Sequence, residues 1–176
     1  MTVGRALAAL ALAGSLAVPA AAGAPTPLQT TFRTSLLADA KTSSAVKRAL
    51  RSGAAFVDAK PTFGDLTGDG RTDAVVSVTT GGAAGAIAIY VFSNDGPAGG
   101  KLAVVFRSQQ LYRATAVVQV AQDARVLVLR LPRYASGDPL CCPARIVERT
   151  YAWVAAARTL RPTGSREVGG PQPPRA

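Results

Sequence analysis

Residues 65–73 read D-L-T-G-D-G-R-T-D, and they hold three of the ten acidic side chains in a chain whose formal net charge is +10. Oxygen donors at alternate positions 1, 3 and 5 of such a loop can wrap one hard cation, a Gly at 6 permits the sharp bend, and position 7 can turn a backbone carbonyl inward. Those positions are Asp65, Thr67, Asp69, Gly70 and Arg71, and Asp73 at position 9 would close the shell. An all-oxygen set without thiolate or imidazole suits calcium rather than zinc or copper. Thr67 stands where Asp or Asn is usual and is a weaker ligand, so the expected dissociation constant is on the order of 10⁻⁴ to 10⁻³ M, typical of extracellular modules. The same composition also makes a metal-free Gly-Asp turn that reverses the chain into a strand. On the residues alone both readings stand.

Other chemistry is sparse. The chain has no histidine, which removes the commonest general base near neutral pH and every His-dependent triad or zinc site. Glu148 and Glu167 are the only glutamates. Asp58, Asp65 and the cysteines remain as acids or nucleophiles, but no catalytic motif surrounds them, and the expectation is a protein that is not an enzyme. Cys141 and Cys142 are adjacent and are the only cysteines. Neighbouring Cα atoms lie about 3.8 Å apart, below the usual span of a disulfide, so a vicinal bridge would be strained and would close almost no loop. A vicinal disulfide, free thiols and an intermolecular bond are all open, as are a redox switch and a plain turn held by Pro139 and Pro143.

The elements that must hold these residues follow from periodicity. Residues 1–22 run from a positive start through an Ala-rich apolar stretch to Ala20-x-Ala22, the pattern of a secretory signal peptide cleaved after Ala22. The alternative is an uncleaved membrane anchor, against which Pro19 and the dominance of Ala weigh. Residues 23–31 read as a Pro- and Thr-rich linker. Apolar residues recurring at three and four, with basic residues late and Gly53 after them, predict a helix over about 43–52, with a further turn or two before it. Beyond the acidic loop the period becomes two. Ala74, Val76 and Val78 share one strand face, residues 86–93 are apolar on both faces as in a central strand, and strands follow near 101–108, 112–120 and 125–131. A last hairpin spans 145–154 and about 159–164. Short turns between strands favour antiparallel pairing, so the expected fold is α+β: one domain over 32–168, an N-terminal helix on an antiparallel β-meander of about six strands. Residues 169–176 read as a disordered tail.

Arg outnumbers Lys by 16 to 4, yet the Arg are scattered without a basic run or aromatic interleaving. A solvated cationic surface is expected, and nucleic acid is disfavoured as a partner. The alternative function is an Arg-rich module for an anionic envelope polymer or nucleic acid. After signal cleavage no run is long enough to span a bilayer. No Cys lies near the cleavage point, so the chain is expected outside the membrane, secreted or in the envelope, and not lipidated.

The segment "FGDLTGDGRTDAVVSV" resembles the calcium loop of FG-GAP and VCBS-type repeats, a likeness that implies Asp65, Asp69 and Asp73 as ligands. A β-propeller is excluded, because several blades of about 40–50 residues do not fit the chain. Taken with "YASGDPLCCPARIVERTYAWV", the order of segments over about 35–160 resembles the LppP/LprE family of actinobacterial secreted lipoproteins. That resemblance implies an exported or envelope-associated domain without established enzymatic activity, with a protein or envelope partner it does not name.

Overall fold

The computed structural model describes residues 24–81, 85–94, 102–109, 117–121, 125–138 and 143–169. The expected signal peptide and the segment 170–176 lie outside the described residues.

Two helices open the fold. α1 (Pro27–Ala38) begins where Thr26 and Gln29 form a capping box. The Gln29 N–H donates to Thr26 Oγ1 at 3.2 Å, and the Thr26 N–H donates to Gln29 Oε1 at 2.8 Å. Pro27 in the first turn loses no hydrogen bond there, since that N–H would be unpaired in any helix. The linker expected over 23–31 is therefore corrected: the chain is helical from Pro27, because T-x-x-Q satisfies the free donors of a helix start. α2 (Ser44–Ser52) is the helix expected over 43–52. Ser43 accepts from the Val46 N–H, and Gly53 ends the helix at φ +76°, where a side chain would be strained. The Arg33 guanidinium donates to Leu50 O at 3.1 Å, satisfying a terminal carbonyl and fastening the helices together.

Nine antiparallel strands follow among the described residues, and the fold class is α+β. They form two sheets, which corrects the single six-stranded meander. In the first, β3 (Asp73–Thr79) lies between β4 (Ala86–Ser93) and the short strands β1 (Phe56–Val57) and β2 (Thr62–Gly64), and β5 (Ala103–Ser108) pairs with β4. The second, β6 (Val117–Ala121), β7 (Val126–Arg133), β8 (Arg145–Val154) and β9 (Thr159–Gly169), is a meander in sequence order. β1 and β2 are two and three residues long, too short for a period-two pattern to register.

The first sheet is the middle layer. Ala74, Val76 and Val78 of β3 and Ala88, Tyr90 and Phe92 of β4 pack with Phe32, Leu36, Val46 and Leu50 of the helices. Val75, Ile89 and Val91 pack on the opposite side with Leu127, Leu129, Leu131 and Tyr151 of the second sheet. All eight residues of β4 are buried. Its register slips against β3, so that Thr79 faces Ala86 and Val78 faces Ala88. Ile87 is the extra residue, and it and Ala88 both enter the helical core while Ala86 enters the other.

Aromatic contacts join the layers: Phe32 meets Phe92 at a centroid distance of 4.8 Å, and Phe106 meets Tyr151 edge-on at 5.0 Å. Thr159 Oγ1 donates to Val105 O at 2.6 Å, tying the start of β9 to β5. A polar clamp fixes the turn between the helices. Arg107 of β5 grips Asp39 through two bonds of 2.8 and 2.6 Å, Thr42 donates to the same carboxylate, and Gln109 accepts from the Tyr90 hydroxyl and donates to Lys41 O. Burial alone would raise the Asp39 carboxyl, but the hydrogen bonds from Arg107 and Thr42 outweigh it and hold Asp39 below its ordinary range. Burial pushes the Tyr90 hydroxyl up to about 12.

On the outer face of the second sheet, Glu148 lies between Arg130, at 3.0 Å, and Arg166, at 2.6 Å. Hydrogen bonds from these two guanidiniums hold its carboxyl below the ordinary range.

Two predictions follow from this packing. Phe92→Ala removes the centre of the helical core and should lower unfolding free energy by about 3–5 kcal/mol in urea melts. Asp39 and Glu148 are both depressed in the fold, so their stabilisation is complete above the unfolded carboxylate range and is lost as pH falls below about 4. The urea midpoint should fall through that window, and Arg107→Met, which frees Asp39, should lower the midpoint at neutral pH and flatten the acid dependence.

Candidate metal loop

The loop 65–72 joins β2 to β3, and the pairing of Gly64 with Asp73 closes its base. Two features hold it in shape. Leu66 is buried in the core between the sheets, so the loop is pinned at its second residue. Gly68 and Gly70 adopt φ +77° and +80°, which a residue with a side chain reaches only with strain.

Inside this frame the acidic side chains satisfy the loop's own backbone. Asp65 Oδ1 accepts from the Gly68 N–H at 2.7 Å, and Oδ2 from the Gly70 N–H at 3.1 Å. Asp69 Oδ1 accepts from the Arg71 N–H at 2.8 Å. Asp73, fully buried as the first residue of β3, accepts from the Leu66 and Thr67 N–H groups through Oδ2, both at 2.8 Å. Asp73 thus folds the loop back onto its exit, an Asx-type role that needs no ion.

Two oxygens are left over. Asp73 Oδ1 and Thr67 Oγ1 are buried and have no hydrogen-bond partner. The Asp73 carboxylate is thus compensated through Oδ2 alone, and a buried oxygen left without a donor keeps its own share of the desolvation cost. The structure brings together Asp73 and Thr67 of the sequence-derived ligand set. Asp65 and Asp69 point to local N–H groups, and among the described residues no three carboxylate or thiol groups gather as a metal centre. Arg71 sends its guanidinium to Asn94 O at 2.9 Å.

One neighbour has no signal in the sequence. Arg125, in the left-handed region at φ +47° just before β7, places its guanidinium 3.5 Å from Gly68 O. A Cβ added at Gly68 would lie 2.5 Å from that guanidinium, so a side chain there would push Arg125 aside as well as strain the turn. The acidic loop therefore has a protein cation at its rim, delivered by the second sheet from 57 residues away.

Cys141 and Cys142 lie outside the described residues. The neck of their segment is described: Asp138 Oδ2 accepts from the Ala135 N–H at 2.7 Å and the Ala144 N–H at 2.8 Å, holding the two sides together. Asp58 is a turn residue whose carboxylate accepts the Lys60 N–H. A groove of about 630 Å³ lies between α1 and β5, with Thr34, Ser35, Val104 and the Asp39–Arg107 pair in its walls.

Over 152 residues the chain is 34% identical to lipoprotein CseA of Streptomyces avermitilis. The chain is similar to an actinobacterial lipoprotein. The match takes in 81% of this chain and 65% of the relative, so the chain spans a little under two thirds of that protein's length. No family model matches the chain. No solved structure matches it. Among the described residues no helix is long and apolar enough to cross a membrane.

Asp73 carries the loop. Asp73→Ala leaves the Leu66 and Thr67 N–H groups without their acceptor and should cost on the order of 2–4 kcal/mol in metal-free urea unfolding. Asp73→Asn keeps one acceptor oxygen and should cost less than half as much. Equal stability of Asp73→Ala and the parent would mean that the loop base does not depend on this carboxylate.

Proposed function

We propose that this chain is an envelope-associated, non-enzymatic α+β domain whose loop 65–73 takes up one calcium ion weakly, to stabilise the approach to β3 or to present that surface to a partner. The observation that carries the reading is the pair of buried, unpartnered oxygens, Asp73 Oδ1 and Thr67 Oγ1. Both are hard donors of the kind calcium prefers. Asp65 and Asp69 would complete the shell by exchanging local N–H bonds for the ion, with the Arg71 carbonyl as a further donor. The likeness of the loop to FG-GAP and VCBS-type repeats supports the same ligand set.

The similarity to a lipoprotein supports an envelope setting, in line with the LppP/LprE-like order of segments. The non-enzymatic reading rests on the lack of histidine and on the use of the buried Glu148 as an arginine partner.

A second reading has a specific observation behind it. Each of the three loop carboxylates already accepts a backbone N–H, and Arg125 supplies positive charge at the rim, which together describe a loop that is complete without metal.

Calcium titration separates the two. Binding that stabilises only the native state should add about 0.4 kcal/mol at half-saturation and roughly 2.7 kcal/mol at a hundredfold excess over the dissociation constant. The melting temperature should therefore rise by several degrees between chelator and saturating calcium. Asp69→Ala, which removes one ligand without touching the loop base, should abolish both that rise and the binding heat. Identical melting with and without millimolar calcium, and no binding heat, would leave the metal-free loop.

A further inference from the structure

The pairing of β7 with β8 sets charges against each other in two ways. On the outer face Arg130 stands directly opposite Glu148, and the two meet at 3.0 Å, with Arg166 as a second cation on the same carboxylate. The core-facing side ends differently. Leu127, Leu129 and Leu131 enter the core between the sheets, so strand alternation puts Arg133 on that same side, just past the core's edge. The residue directly opposite Arg133 is Arg145. Like charges facing each other across an antiparallel pair repel, where an opposite charge would stabilise the ladder.

Nearby carboxylates do not resolve that repulsion. Glu167 lies 3.7 Å from Arg145, a loose contact beside the 3.0 and 2.6 Å approaches of Arg130 and Arg166 to Glu148. Among the described residues Arg133 makes no ion pair. Asp138 is turned to the backbone, where one of its oxygens accepts the N–H groups of both Ala135 and Ala144.

The opposed arginines line a pocket of about 330 Å³ together with Tyr134, Val147 and Glu167. Ala135 and Ala144 complete its wall, and the Asp138 bonds hold these two in place. One guanidinium fork saturates a carboxylate with two parallel bonds. Two opposed guanidiniums therefore fit a group with more oxygens and more charge. A phosphate monoester carries about −1.5 to −2 near neutral pH and presents three strong acceptor oxygens.

We propose that this pocket binds a phosphate group, held between Arg133 and Arg145. The group is either the free ion or the ester of a small molecule whose body fills the rest of the pocket. This site is separate from the acidic loop and does not rest on calcium binding there. Arg125 touches the loop at one end of β7 and Arg133 closes the other, roughly 26 Å away at about 3.3 Å per residue.

Inorganic phosphate, glycerol 3-phosphate and acetate are titrated separately into the protein at constant ionic strength in calcium-free buffer, and amide and arginine side-chain shifts are followed by NMR. Both phosphates should give saturable shifts confined to the strand ends around Arg133 and Arg145, and acetate should give none. Arg133→Gln loses a charge-assisted contact and should weaken phosphate binding by about tenfold or more. Glu167→Gln removes the competing carboxylate and should tighten it a few-fold. Arg161→Gln removes the same charge at the other end of the β8–β9 ladder and should leave affinity unchanged. Tighter binding of glycerol 3-phosphate than of inorganic phosphate identifies an ester as the ligand, and equal or weaker binding identifies the free ion. The proposal is overturned if the shifts spread over arginines across the surface, if acetate binds as well as phosphate, if Arg161→Gln weakens binding as much as Arg133→Gln, or if Glu167→Gln does not tighten it. Should Arg133→Gln fail to fold, Glu167→Gln decides alone, because its side chain is exposed and its contact loose.

Discussion

β4 must satisfy two cores at once. A strand exposes alternate residues to opposite sides, so one packed between helices and a second sheet has to be apolar at nearly every position, and all eight of its residues are buried, the polar Ser93 at its end included. The rest of the molecule is arranged around that requirement. Helices cover Ala88, Tyr90 and Phe92, the second sheet covers Ile89 and Val91, and the bulge at Ile87 changes which side each residue serves near the strand's start. Tyr90 brings a polar tip to the helical side of β4, and its hydroxyl reaches Gln109 at the edge of the clamp that holds the helices down. The core and the polar clamp are thus coupled through a single residue.

The acidic loop inherits its shape from the same sheet. Asp73 is both the first residue of β3 and the acceptor for the loop's first free N–H groups, so the strand cannot be in register unless the loop is closed, and the loop cannot close without the strand. Leu66 ties that closure to the inter-sheet core. The second sheet contributes Arg125 at the rim. A segment that looks self-contained in sequence is a junction between the two sheets.

Much of this was legible in the residues. The period-two face of Ala74, Val76 and Val78 is the face that meets the helices, and the apolar run that ends at Phe92 and Ser93 is the buried central strand. The helix signals around Ser43 and Gly53 placed α2 to within a residue. The start of α1 is written in the sequence as the capping box T-P-L-Q, but Pro and Thr also dominate linkers, so composition there points away from a helix while spacing points toward one. The division into two sheets left no local mark: it depends on which strands pair, and pairing is decided by long-range packing such as Phe106 on Tyr151. In the loop, the residue types and the glycine turns were legible. The direction of each carboxylate was not, since Asp65 and Asp69 respond to N–H groups a few residues away rather than to a common centre. Arg125 was invisible for the same reason as the sheet division, because nothing near it in sequence points to residue 68.

β9 closes the second sheet as its last strand, eleven residues long, and most of it is exposed. A bare margin of that length is a template on which another copy could grow a fibril. Pro162 withholds a donor, the ladder with β8 slips at Thr150 and Tyr151, and Arg161, Arg166 and Glu167 line the strand with charge. Each of these spoils the straight, evenly spaced row of partners that aggregation requires, and together they blunt the free margin of a long hairpin against growth by strand addition.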